Sequence, residues 1–321
     1  MGGQNNKKSD FALIVAYIAF LTTVIFFPPF YFFAVILLPV PLVVYAFRNK
    51  QERTYMIVGA IAVISLLLTV VFQTLLFVPL FVVFAAGGLM IGLALQKEKN
   101  PYEIWIQGII GYLVSLLFVF VFTQVVLEIN WAEEVRTAAQ DTLNNMATII
   151  KQIDPSIKDQ LEGQIETIRD QIEYLPNLIP VGITVLSIIF SFLAQWLSYK
   201  VINALFKQRL SFPPVRKLSF PRAVIFIYLI GFLLMFIEND PSRGLFMAGQ
   251  NITSLMFFLM VIQGFTYMFF FTHHKKKSNL LPIIIIIVSL LMPFLMYFVH
   301  FLGLFDIALS LRKRTEGNQK R

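Results

Sequence analysis

Cysteine is absent from these 321 residues, which excludes disulfides, thiolate metal sites and cysteine nucleophiles. Histidine is scarce, at three residues, and two of those, His273 and His274, adjoin Lys275–Lys277. Adjacent residues on a helix do not face each other, so this pair makes a poor chelate and reads better as an interfacial cationic patch. No Ser-His-Asp order, HExxH pattern, phosphate-binding loop or dinucleotide fingerprint occurs, so the chain is not expected to be an enzyme or to hydrolyse ATP itself. No metal site or cofactor is expected. Charge is scarcest of all in long blocks. Residues 11–47, 54–95, 176–199, 223–237, 245–272 and 280–305 carry none, and 102–127 carries only Glu103. No acidic pair lies within a span, which argues against a proton- or sodium-coupled pump, because ionisable groups at depth mark such pathways.

What is abundant is apolar surface. Hydrophobic residues make up 58% of the chain and the mean hydropathy is +0.76, leaving too little polar surface to clothe a soluble domain of this length. A helix needs about 20 apolar residues to cross the hydrocarbon core. Nearly every uncharged block qualifies, and the longest hold two crossings. The fold class is therefore all-α, a polytopic transmembrane bundle of about nine spans, with eight to ten as the range. Lys7 and Lys8 precede an apolar run that continues through Pro28–Pro29 without a small-residue cleavage site, so a retained first helix is expected. Gly2 lacks the Ser or Thr at position 6 that myristoylation requires, since Asn6 stands there.

The formal net charge of +8 hides an asymmetry. Residues 128–175 hold ten acids against four bases, a balance of −6, so the remainder carries +14. The positive charges sit in short clusters at Lys7/Lys8, Arg48/Lys50/Arg53, Lys97/Lys99, Lys200 to Arg222, Lys275–Lys277 and Arg312–Arg314. Short basic loops belong in the cytoplasm. The clusters can be joined by helix pairs at about 11–27 and 30–47, 54–72 and 75–95, 103–127 and 177–199, and 223–237 and 245–272. The N-terminus is then cytoplasmic and 128–175 extracellular. The last block breaks the pattern, because one span over 280–302 leaves Arg312–Arg314 outside. Two half-helices meeting near Pro293, a re-entrant segment and a violation of the charge rule compete. A ninth helix followed by a short interfacial helix is the favoured expectation.

The acidic segment has helical periodicity. Trp131, Val135, Ala138, Leu143, Met146, Ile150 and Ile153 recur at near-helical spacing, and Ile157, Leu161, Ile165, Ile168, Ile172 and Leu175 follow in a heptad-like stripe. Asp154 as N-cap with Pro155 at the first helical position starts the second helix. Two amphipathic helices forming an extracellular hairpin are expected, packed on each other, on the membrane mouth or on a partner.

Candidate contact residues are few. The neutral polar side chains within the apolar blocks include Gln73, Gln107, Gln124, Gln195, Gln250, Asn251 and Gln263. Gln73, Gln107 and Gln124 are candidate ligand-binding residues in a cavity; bonding between helices is the competing reading. His300 and Asp306 are not on one helical face, and Asp306 reads as an interfacial partner of Arg312 or Arg314. Ala12 and Ala16, with Ala19 a turn later, form a small-residue stripe. Gly88 and Gly92 form a GxxxG. Both patterns permit close helix approach, within the chain or to a partner helix. Residues 200–222 interleave Lys200, Lys207, Arg209, Arg216, Lys217 and Arg222 with Phe206, Phe212 and Phe220. This stretch reads as a basic cytoplasmic linker lying on anionic lipid, between a six-helix unit over 1–199 and C-terminal membrane helices over 223–311, with a basic tail at 312–321. Nucleic-acid binding is not expected, since membrane topology alone predicts such a loop.

The opening FALIVAYIAFLTTVIFFPPF, the following LLPVPLVVYAFR, the late QNITSLMFFLMVIQG and the terminal HFLGLFDIALSLRKR resemble the YybS-like bacterial integral membrane proteins over nearly the whole chain, a family with no established biochemical activity. That family is distantly similar to the substrate-binding subunits of energy-coupling-factor vitamin transporters. Those have six helices with both ends inside and an alanine stripe on the first helix that docks a membrane coupling subunit. The resemblance implies that Ala12 and Ala16 belong to such a stripe, that 11–199 is the six-helix unit, and that separate partners, a coupling subunit and an ATPase, spend the ATP. The acidic hairpin before the sixth helix and the roughly 100 residues after it depart from a minimal subunit of that kind. Two functions follow as expectations: a solute-binding, transport-associated subunit, or a non-transporting envelope scaffold whose hairpin and basic segment contact envelope proteins and cytoplasmic partners.

Overall fold

A computed structural model describes residues 2–27, 29, 31–153 and 158–317. They are helical, with no strand among the described residues. Contacts divide them into two compact units, residues 1–129 with 183–212, and residues 130–182 with 213–321.

In the first unit α1 spans Gly2–Phe26, α2 Tyr31–Leu37, α3 Val40–Arg48, α4 Gln51–Phe72, α5 Phe77–Gln96 and α6 Pro101–Val126. The single helix expected over 30–47 is broken, because Pro39 and Pro41 remove two amide donors from one turn. α4 stops where Gln73 turns left-handed, at φ 51°. α6 starts at an N-cap, with the Asn100 side chain accepting from the amides of Tyr102 and Glu103 and Pro101 at the first helical position. The burial pattern of α6 inverts that of a soluble helix. It buries Gly108, Gly111, Ser115 and Thr123 and exposes Ile106, Ile110, Val114, Leu117, Val121 and Val125. Small and hydroxylated residues at the packed face with branched aliphatics outside suit lipid as the solvent. Tyr17, Leu21, Leu42, Ile61 and Phe84 form one core of this unit. Val43, Ile91, Tyr112, Phe190 and Ile202 form a second.

The second unit begins with α7, Trp131–Ile153, and α8, Lys158–Glu173. They run antiparallel: Arg136 Nη2 lies 3.3 Å from the Glu173 carboxylate and Arg169 Nη2 donates to Asn144 Oδ1 at 3.2 Å. The face of α7 turned inward carries Val135, Ala139, Leu143, Ala147 and Ile150, while Ala138 and Met146 face outward. The helix start expected at Asp154–Pro155 lies outside the described residues. A 3-10 turn, Leu175–Leu178, leads into α9, Ile179–Phe206, the longest stretch of which belongs to the first unit. Contacts group the acidic segment with the C-terminal helices.

α10 spans Ala223–Ile237, α11 Gly244–His274, α12 Leu280–Leu291, α13 Phe294–Leu309 and α14 Leu311–Gly317. α10 and α11 cross in close contact, where a Cβ on Gly249 would meet the Gly231 carbonyl oxygen at 2.7 Å. α11 and α13 approach closer still. A Cβ on Gly264 would fall 2.1 Å from the Val299 carbonyl oxygen, and one on Gly303 would fall 2.0 Å from that of Met260. Phe257 meets Tyr297 and His300, and Thr266 meets Arg312, so α11 and α13 run parallel. The ninth helix expected over 280–302 is corrected: the chain breaks at Met292–Pro293 into two helices of 12 and 16 residues. At 1.5 Å rise per residue these reach about 18 and 24 Å, short of the hydrocarbon thickness. α12 starts beside the end of α11, with Leu281 and Ile285 near Met268 and Phe271, and α13 brings Arg312 back to Thr266 in the same half of α11.

Among the described residues, five helical stretches suffice by length and composition to cross a membrane: α4, α5, α6, Leu175–Phe206 and α11. Shorter apolar helices cover Phe11–Thr23, Phe33–Arg48, α10, α12 and α13.

Candidate functional site

The three glutamines proposed as ligand contacts are not gathered together. Gln73 is the exposed left-handed cap of α4. Gln107 is half-buried in the second turn of α6 and Gln124 is exposed in its last turn. Seventeen residues of helix separate the latter two by about 25 Å. No single small molecule is reached by all three.

The small-residue pairs fare differently from each other. Gly88 and Gly92 are consumed within the chain. A Cβ on Gly88 would lie 2.8 Å from Leu42, and one on Gly92 would lie 2.6 Å from the Ala46 Cβ. The GxxxG lets α5 seat against α3, the internal one of the two packings that such a motif permits. Ala12 and Ala16 are not so used. Ala12 is exposed and Ala16 half-buried, and both line an open groove of about 790 Å³ bounded by Pro41 and Val44 of α3 and Val201 and Leu205 of α9. Lys8 and Arg48 stand in its wall, and the Arg48 guanidinium stacks 5.0 Å over Phe206.

Several polar side chains of the apolar blocks serve helix packing. Gln195, fully buried, donates to the Pro101 carbonyl and the Tyr199 hydroxyl. Ser191 donates to the Trp105 carbonyl, and the Trp105 indole returns a bond to the Ile188 carbonyl. Tyr17 and Ser65 share a 2.6 Å hydrogen bond. Asn251 receives the Val181 amide and donates to the Asn177 carbonyl, while Asn177 donates to the Pro241 carbonyl. These bonds clamp the start of α9 to the α10–α11 loop. In that loop Asp240 accepts from the Ser242 hydroxyl and amide, which hold its carboxyl below the ordinary carboxylate range.

The densest polar cluster is at the opposite end of α11. Asp306, 3% exposed, accepts from Arg312 Nε at 2.8 Å and from Gln263 Nε2 at 2.5 Å. Arg312 spends its other donors on the carbonyls of Arg216 and Leu218 and on Thr266 Oγ1. Gln263 Oε1 accepts the Phe220 amide. Arg312 is one of the two partners expected for Asp306; its grip on residues 216–220 was not legible, because nothing local signals a partner 94 or 96 residues away. His300 is buried without a hydrogen-bond partner, stacked on Phe257 and edge-on to Tyr228, an aromatic packing role. Among the described residues no group of His, Asp and Glu side chains could hold a metal ion.

This architecture agrees with sequence comparison. Residues 14–307 match the family described as "Predicted membrane protein (DUF2232)", and the chain belongs to it. It is also 27% identical over 281 residues to the "Uncharacterized protein YybS" of Bacillus subtilis (strain 168), covering 87% of this chain and 88% of that protein. No solved structure matches.

Proposed function

We propose that this member of the predicted membrane protein family is a non-enzymatic, transport-associated subunit of a bacterial cell membrane, working through separate partners that supply the energy. The observation that carries the reading is the groove along α1. Ala12 and Ala16 are left open there, whereas Gly88 and Gly92 are spent on α3. Small residues on an open helical face admit another helix at short range. The occupant in this reading is a transmembrane helix of a coupling subunit whose ATPase partner drives transport. In this reading the end of the second unit that carries Lys275–Lys277, Arg312–Arg314 and the basic 213–222 segment faces the cytoplasm, and the α7–α8 pair lies outside. The test is gentle purification from native membranes of the wild type and of Ala12→Leu/Ala16→Leu, with mass spectrometry of retained proteins and small molecules. The wild type is expected to retain a membrane subunit and an ATPase, and the variant to lose them while keeping its fold. A wild type that retains neither transporter subunits nor a small molecule sinks the reading.

A second reading, an envelope scaffold, is favoured by one observation. Met146 and Ile149 on α7 are 55% and 56% exposed and Ile168 on α8 is 42% exposed, apolar surface outside the long spans that a partner would cover. Deleting 130–174 separates the two readings: a scaffold loses its partners, while a transport subunit keeps those docked on α1.

A further inference from the structure

We propose that the cleft between the 219–222 loop and the α13–α14 junction binds a phosphate group, supplied by an anionic phospholipid headgroup. The cleft is about 500 Å³ and is lined by Ser219, Arg222, Asp306, Ser310, Arg312 and Lys313. Three cations meet one carboxylate, and that carboxylate is already engaged by Arg312 and Gln263. Arg222 and Lys313 have no carboxylate partner among the described residues, so the cleft keeps an excess of two positive charges.

The two arginines are held in place. Ser310 turns left-handed, at φ 50°, which swings α14 round and brings Lys313 to the rim. Arg222 Nη2 donates to Ser310 Oγ at 2.8 Å, which fixes the guanidinium while its remaining N–H groups stay available to phosphate oxygens. Ser219 Oγ accepts from Gln263 Nε2 at 3.4 Å, so its own proton is free to donate. The positive end of α10 opens at the same rim. The depth selects the source. Phe226 and Ile230, one and two turns into α10, are 65% and 52% exposed, which puts lipid tails directly beside a cleft at headgroup level.

The test uses the full chain in nanodiscs of phosphatidylcholine, with or without phosphatidylglycerol, and reads retained lipid by native mass spectrometry and Lys313 acetylation by peptide mapping. Phosphatidylglycerol is expected to be retained and to slow acetylation of Lys313. Arg222→Gln/Lys313→Gln should weaken retention roughly fivefold per cation, about 25-fold for the pair. Lys275→Gln/Lys277→Gln, which removes two charges elsewhere, should leave retention unchanged. Protection of Lys313 in phosphatidylcholine discs by inorganic phosphate, matching that by phosphatidylglycerol, keeps the phosphate cleft and reassigns its source to a soluble ion. The proposal is overturned if neither probe protects Lys313, or if the Lys275/Lys277 variant loses as much lipid as the cleft variant, which means diffuse surface charge. Protection in the wild type decides the matter even if the cleft variant fails to fold.

Discussion

Replacing Arg312 with Met tests whether the Asp306 cluster holds the C-terminal helices and the 213–222 segment together. The substitution removes the 2.8 Å ion pair to Asp306 and the donors to the Arg216 and Leu218 carbonyls and to Thr266. It leaves a carboxylate, 3% exposed, with Gln263 as its remaining partner. Breaking a buried pair from one side costs about 3–5 kcal/mol, because the other charge stays desolvated. At about 2–4 °C per kcal/mol for a unit of this size, the melting point should drop by roughly 10 °C. The assay is the soluble monodisperse fraction on size-exclusion chromatography after heating in detergent, with the rate of tryptic cleavage after Arg216 and Lys217 as a local readout. Both should respond, since the freed carbonyls no longer anchor that loop. Asp306→Leu/Arg312→Met should regain most of the loss, because neither charge is then buried. An Arg312→Met protein that matches wild type in both readouts, or a double variant that falls as far as the single, would refute the reasoning.

Three further outcomes follow from packing and hydrogen bonding. Gly303→Ala puts a Cβ 2.0 Å from the Met260 carbonyl oxygen and should cost about 1–3 kcal/mol by forcing α11 and α13 apart; Gly59→Ala, which meets nothing within 4 Å, should gain about 0.5–1 kcal/mol in the same melting assay. Ser65→Ala strands the fully buried Tyr17 hydroxyl at about 1–3 kcal/mol, whereas Tyr17→Phe should cost less, since Ser65 still donates to the Ile61 carbonyl; equal losses would contradict this. Asp240 titrates below its unfolded value, so its contribution to the α10–α11 loop is full above the ordinary Asp pKa of about 3.9 and is lost only as pH falls through the lower folded value. The Ser242 amide resonance should therefore hold at about pH 4 and move below it, and Asp240→Asn should abolish the movement.

The uncharged blocks made most helices legible, because burying a charge in hydrocarbon is costly and so charges bracket the spans. α10 begins and ends where expected, between Arg222 and Glu238. What sequence left open turned on side chains far apart in the chain. Gly88 and Gly92 announce close packing, but their partners, Leu42 and Ala46, are named only by the fold. Pro293 is compatible with a kinked span or a break; the helix ends at Leu291 and restarts at Phe294, and the Phe257–Tyr297 and Thr266–Arg312 contacts seat α13 parallel to α11. The α7 stripe was misplaced by one position at Ala138 and Met146, because spacing alone does not distinguish a 3.5-residue seam from a 3.6-residue face. The glutamines were chosen as polar groups in apolar blocks, a property shared by residues at opposite ends of one helix.

The parallel course of α13 also bears on the charge asymmetry. A single span over 280–302 would strand Arg312–Arg314 away from every other basic cluster. The fold instead sets Arg312 against the Arg216 and Leu218 carbonyls, at the end of α11 that carries Lys275–Lys277. The acidic side lies at the other end, where Asn177 grips the Pro241 carbonyl and Asn251. α11 alone, 31 residues long, separates the two by about 45 Å, enough for a full crossing. Basic clusters together with the acidic segment opposite are what the positive-inside rule asks of such a unit. Since the chain contains no cysteine, single substitutions report sidedness without background. Lys277→Cys and Thr315→Cys should react with a membrane-impermeant maleimide only after the cells are opened. Ser242→Cys and Thr142→Cys should react in intact cells. Labelling of residue 315 together with 242 would mean that α12 and α13 cross as one span, and the helical pair would have to be abandoned.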